Sequence, residues 1–131
     1  MKTKNPAFMG KGTTPVIQFN LTGIGGAVKT ACVTFRGTES YDAITGAGQV
    51  CKHYTGRNSD DVQLENGFLK VKLTAEETKQ FEAREKIMMS IRAVLEDGTI
   101  PYCPPMYTYM GEVLAEEKCD ICTKQEVNNE Q

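Results

Sequence analysis

A single histidine, His53, stands in the whole chain of 131 residues, and no apolar run is long enough to cross a bilayer. The best stretch, Ile87 to Leu95, is interrupted by Ser90 and Arg92, where a spanning helix needs about 20 apolar residues. No membrane contact is expected. Lysine and arginine nowhere cluster: 15 Lys and Arg stand against 17 Asp and Glu, for a net charge of −2. A general nucleic-acid binder shows a concentrated basic face, so no nucleic acid is expected as partner. Residues 1–10 contain lysines but no apolar segment after them, so a secretory signal is not expected and the chain is assigned to a cytoplasm. Its five cysteines are an odd number and, without a signal, do not predict a disulfide framework. No internal repeat is visible.

What the chain does have is alternation. In VIQFN, Ile17 and Phe19 share one side with Leu21, and Gln18 and Asn20 the other. In VKTACVTFRG (28–37), Ala31, Val33 and Phe35 alternate with Thr30, Cys32, Thr34 and Arg36. QVCKHY (49–54) is a shorter strand candidate, and VQLE leads into FLKVKL through Asn66-Gly67, a strong hairpin signal because both residues tolerate positive φ. KIMMSIRAVL (86–95) places Ile87, Met89, Ile91 and Ala93 on one face, before a tight turn at Asp97-Gly98. Pro104-Pro105 blocks ladder pairing, and MYTYMGEVL (106–114) is a last strand. The spacing predicts an all-β, antiparallel sandwich of about seven strands in one domain over residues 14–114. A flexible arm is expected over residues 1–13 and a polar tail over 115–131. The Gly-, Ser- and Thr-rich stretch 37–48 is the longest expected loop, and pairing over residues 37–58 is left open.

One segment breaks the β pattern. Thr74-Ala75-Glu76-Glu77 has the spacing of a capping box, in which the Thr74 hydroxyl and the Glu77 carboxylate each accept the other's backbone amide. A short helix here would carry the chain from one sheet to the other, with Phe81 plugging the end of the core.

Few residues offer chemistry. Cys119 and Cys122 form a CxxC pair that could fill two of zinc's four ligand positions, with Cys103 or His53 as the only attractive further ligands. No second CxxC and no thioredoxin-like βαβ context accompany it, so neither metal nor cofactor is expected. His53 and Cys51 share a strand face, but a nucleophile pair also needs an orienting group and an oxyanion site, and none is apparent. The adjacent acidic pairs suit caps and turns. Gly23 to Gly26 lacks the strand-turn-helix setting of a phosphate loop. No catalytic residue and no enzyme activity are predicted. PYCPPMYTYM (101–110) is the unusual segment: Tyr107 and Tyr109 fall on one face of the last strand, and Met106, Thr108 and Met110 on the other. Tyr and Met are enriched at interfaces, and a last strand is often a sheet edge, so Tyr107, Tyr109 and Met106 are the interface candidates.

Four stretches carry a resemblance. Gly12 to Pro15 opens a strand, Leu73 to Phe81 holds the capped crossover, Ile91 to Gly98 forms a strand and turn, and Gly111 to Leu114 closes the pattern. Together, over about residues 11 to 115, they resemble small immunoglobulin-like proteins encoded by tailed phages and prophages of Gram-positive bacteria. The chain is similar too to the N-terminal module of some phage baseplate proteins. The longer segment 37–58 and the CxxC tail depart from that pattern. The resemblance implies an immunoglobulin-like sandwich and a non-enzymatic structural or accessory role in the tail or baseplate region. It implies partners among other phage structural proteins or further copies in a homo-oligomer, and location in the host cytoplasm during assembly and then in the virion. Two other classes compete with it: a small phage protein that inhibits a host defence protein, and a metal- or thiol-dependent protein using the CxxC tail.

Overall fold

Strands with one apolar side need a second layer to cover it, and this chain supplies both layers. A computed structural model describes residues 8–111, and these contain eight strands and one short helix. In chain order they are β1 (Phe8–Met9), β2 (Val16–Asn20), β3 (Val28–Gly37), β4 (Gln49–Tyr54), β5 (Val62–Glu65), β6 (Phe68–Lys72), α1 (Ala75–Thr78), β7 (Lys86–Leu95) and β8 (Met106–Met110). One sheet has the order β1-β8-β7-β3-β4 and the other β2-β6-β5. Every ladder is antiparallel except β1 with β8. Strands distant in sequence thus lie side by side, in the Greek-key order of an immunoglobulin-like sandwich.

The alternation sets the layers as predicted. Ile17, Phe19, Val33, Phe35, Leu69, Val71, Leu73, Ile87, Met89 and Ile91 are all buried between the sheets. Phe19 of β2 and Phe35 of β3 meet across the layers with ring centroids 6.4 Å apart. β3 and β7 pair over nearly their whole lengths, from Val28 opposite Leu95 to Gly37 opposite Ile87, with one irregularity between Val28 and Thr30. β4 pairs with β3 from Tyr54 opposite Ala31 to Gln49 opposite Arg36, so within residues 37–58 the segment 49–54 is a paired strand, while residues 38–48 and 55–58 lie in loops. Asn66 and Gly67 take φ of 54° and 82°, which turns β5 directly into β6.

The crossover is built by its cap. The Glu77 amide donates to Thr74 Oγ1 at 3.1 Å, and the Thr74 amide donates to Glu77 Oε1 at 2.8 Å. The helix is too short to persist on propensity, so these bonds and its packing hold it. Phe81 behind it is fully buried. The same turn buries two polar groups that no apolar period reveals. Thr78 Oγ1 accepts the Gly12 amide and donates to the Thr13 carbonyl, each at 2.9 Å. Lys52, inward-facing on β4, reaches Glu77 at 2.9 Å and Asp61 at 3.2 Å. A cation between the layers is tolerated because two carboxylates meet it.

Residues 8–13 differ from the flexible arm expected over 1–13. Phe8 and Met9 pair in parallel with Tyr109 and Met110, and Met9 is buried in the core. The Gly111 amide donates to the Met9 carbonyl at 2.8 Å. Two residues are too few to display a strand period, and the burial of Met9 depends on β8, a strand a hundred positions away in sequence. The tail from residue 115 lies outside the described residues.

Candidate interaction surface

The outer side of the five-stranded sheet is assembled from the non-core positions of β8, β7, β3 and β4. Tyr109 stands opposite Lys86. The next row runs Tyr107, Met88, Arg36, Gln49. Beyond it come Ser90, Thr34 and Cys51, then Arg92, Cys32 and His53. Tyr107 and Tyr109 are about half exposed, at 50% and 47%. The Lys86 ammonium lies 4.7 Å from the centre of the Tyr107 ring, a cation-π contact that fixes the ring's orientation without covering it. No aspartate or glutamate occupies an outward position on these four strands.

The loop after β3 borders this face. The Arg36 guanidinium stacks 4.3 Å from the Tyr41 ring centre and donates through Nε to Gln49 at 2.9 Å. The loop's base is tied by Glu85, a buried carboxylate just before β7. One of its oxygens accepts the Glu39 and Ser40 amides at 2.6 Å each, and the other accepts the Glu82 amide at 2.7 Å. Burial pushes the Glu85 carboxyl up, but these amides outweigh it and hold the group below its ordinary value. Gly37 is needed here, because a Cβ would collide with that carboxylate. The loop's tip is a turn around Asp42, whose carboxylate accepts the Ile44 amide at 2.9 Å and whose carbonyl accepts the Gly46 amide at 2.7 Å. It presents Ile44 with 94% of its surface exposed. Neither Ile44 nor Glu85 stands out by periodicity, although an isoleucine within a run of Gly, Ser and Thr is a sequence signal in itself.

The predicted site residues separate. Tyr107 and Tyr109 lie on the face described above. Met106 does not share it: opposite Met89, it lies on the core-facing side of β8. It is nevertheless exposed, because core cover thins along β8 from buried Met110 to Met106 at 36%. The last strand is also not the sheet's edge. β1 pairs with it at Tyr109 and Met110, and the two outermost strands of this sheet are β1 and β4. The reason is the parallel return of residues 8–9, which the sequence pattern does not display. Cys51 and His53 are exposed neighbours on β4, and Cys103 is half-buried against the core. Among the described residues no group of three His, Cys, Asp or Glu is placed to hold a metal ion. Cys119 and Cys122 lie outside the described residues. Among the described residues no helix is long and apolar enough to cross a membrane. No family model, no curated protein and no solved structure matches the chain.

Proposed function

We propose that this chain is a non-enzymatic assembly module of a tailed phage or prophage particle, in the tail or baseplate region. It docks through the outer face of its five-stranded sheet onto neighbouring particle proteins or further copies of itself. The observation that carries the reading is the Tyr107–Tyr109 pair, half exposed on a rigid strand whose other side reaches the core at Met110. Two rings held in place offer wide contact area with little rotamer entropy to lose. The resemblance of the capped crossover and its flanking strands to phage-encoded modules supplies the setting.

The test is mass spectrometry of particles purified from cells carrying the gene, with wild type and Tyr107→Glu compared. Wild type is expected in the particles and the variant depleted, while circular dichroism of the isolated proteins is unchanged. Absence of the wild-type protein from particles overturns the reading and favours an inhibitor of a host protein. A Tyr107→Glu variant that is incorporated normally moves the contact elsewhere.

A further inference from the structure

Resting on that docking reading, we infer the chemistry of the partner: the face takes an extended acidic segment of another protein, with carboxylates at alternate positions. The chain as a whole is acidic, at −2, yet every charged side chain on the outward positions of β3, β4, β7 and β8 is a cation. Along the regular ladder these are Lys86, Arg36 and Arg92; a further cation, Lys29, is exposed at the β3 irregularity. Lys52 and Lys79 have carboxylates within 4.0 Å, whereas among the described residues no carboxylate stands within that distance of Lys86, Arg36 or Arg92. Arg36 and Lys86 are instead oriented by tyrosine rings, Tyr41 and Tyr107. Stacking leaves a cation's charge uncompensated and its remaining N–H groups able to donate to an anion.

The spacing selects an extended partner. Alternate residues on a strand repeat at roughly 6.6–6.8 Å, and the cations occupy different rows of the ladder. Lys86 lies in the Tyr109 row, Arg36 in the Tyr107 row, and Arg92 two rows further. A strand-like segment with carboxylates on one side meets this repeat, with the aliphatic stems of those carboxylates beside Tyr107, Tyr109 and Met88 and its other side chains turned away from the sheet. A nucleic-acid strand is the weaker fit, because isolated cations on a protein of pI near 5.5 do not form its dense phosphate footprint.

The probe is a synthetic dodecapeptide of alternating Glu and Thr, added in excess to the ¹⁵N-labelled full chain at low salt. Amide shifts are expected along β7, β8 and β3, and added salt should reduce them. Lys86→Glu with Arg92→Glu should weaken binding about tenfold or more. Lys70→Glu with Lys72→Glu, the same charge change on the other sheet, should leave it unchanged. Equal loss in both double variants, or shifts centred on β6, overturns the inference. So does tighter binding of a single-stranded oligonucleotide at the same face. If the peptide fails to bind while Tyr107→Glu still blocks incorporation, the acidic partner is wrong and the assembly role stands. If the peptide binds this face but particles lack the protein, the acidic partner stands and the assembly role is wrong.

Discussion

The two sheets share one core but present different exteriors. On the three-stranded sheet the outward rows are Gln18, Lys70 and Gln63, then Asn20, Phe68 and Glu65, with Val16 opposite Lys72. Its aromatic, Phe68, is half-buried, and Glu65 supplies a carboxylate on the same face as the lysines. On the five-stranded sheet the outward rows hold two half-exposed tyrosines, a methionine, cysteines and cations without an acidic residue. Folding asks of an outer face only that it be compatible with water, and the first face does no more than that. The second keeps large rings in water where smaller polar groups would serve folding equally well. Exposed tyrosines on a strand that folding has already ordered are more simply explained by a contact than by stability.

The sharpest way to break the comparison is to remove what both exteriors stand on. Phe35 is fully buried on β3, an inner strand of the larger sheet, and touches Phe19 of the smaller one. Phe35→Ala should cost about 3–5 kcal/mol by urea or heat unfolding. Signals from both sheets should be lost in a single transition. Separate transitions for the two sheets would mean that the faces belong to independently stable layers.

Glu85 acts on one side only. Its carboxylate holds the loop that borders the tyrosine face, and the amides it accepts, from Glu39, Ser40 and Glu82, all lie outside the three-stranded sheet. Glu85→Gln keeps the shape and loses the charge, and should cost on the order of 1–3 kcal/mol. The pH dependence has a fixed sign. The folded-state pKa is depressed, so the stabilisation is fully present above the ordinary carboxylate pKa of 4.5 and is lost as pH falls through the lower folded value. Wild type should therefore lose stability on acidification below about pH 4.5 more steeply than Glu85→Gln. Amide exchange in residues 38–48 should rise first. Equal acid slopes for the two proteins would remove Glu85 as the loop's anchor.

The cap comes next in size. Thr74→Ala removes one half of a reciprocal pair whose other half, Glu77, also holds Lys52. A loss of about 1 kcal/mol is expected in chemical unfolding. A loss several times larger would mean that Lys52 depends on the cap for its partner, so that the crossover couples the two sheets electrostatically as well as by packing.

These elements differ in how far they could be read in advance. The apolar sides of β2, β3, β6 and β7, the Asn66-Gly67 turn and the Thr74 capping box were legible, because each is a local rule: a period of two, a positive φ, a three-residue reach. Lys52 and Glu85 were not. Their burial depends on partners supplied by other segments, Asp61 and Glu77 for one and the amides of Glu39, Ser40 and Glu82 for the other. Phe8–Met9 was hidden for the same reason, since a two-residue parallel strand carries no period of its own. Of the candidate surface, the tyrosine pair was legible from strand parity. The absence of Asp and Glu from β3, β4, β7 and β8 was legible too, but not that these four strands lie side by side in one sheet, which only the ladder shows.

The smallest expected change in stability tests the difference between the faces most directly. Tyr107 and Lys70 occupy comparable outward positions, one in each sheet, and neither supports the core from above. Tyr107→Ala and Lys70→Ala should each shift the unfolding free energy by no more than about 0.5 kcal/mol. Their effects on association should diverge. A contact face centred on the rings loses area and the ring beneath Lys86 when Tyr107 is truncated, whereas loss of Lys70 removes one solvated charge. Sedimentation at increasing concentration, or competition between variants for incorporation into particles, should separate Tyr107→Ala from wild type and leave Lys70→Ala indistinguishable from it. If Tyr107→Ala instead destabilises the isolated chain by several kcal/mol, the ring is a structural cover for β7 and the contrast between the faces is one of packing. If both variants associate like wild type, the exposed tyrosines carry no contact, and Ile44 at the tip of the Asp42 turn becomes the surface feature that still has to be explained.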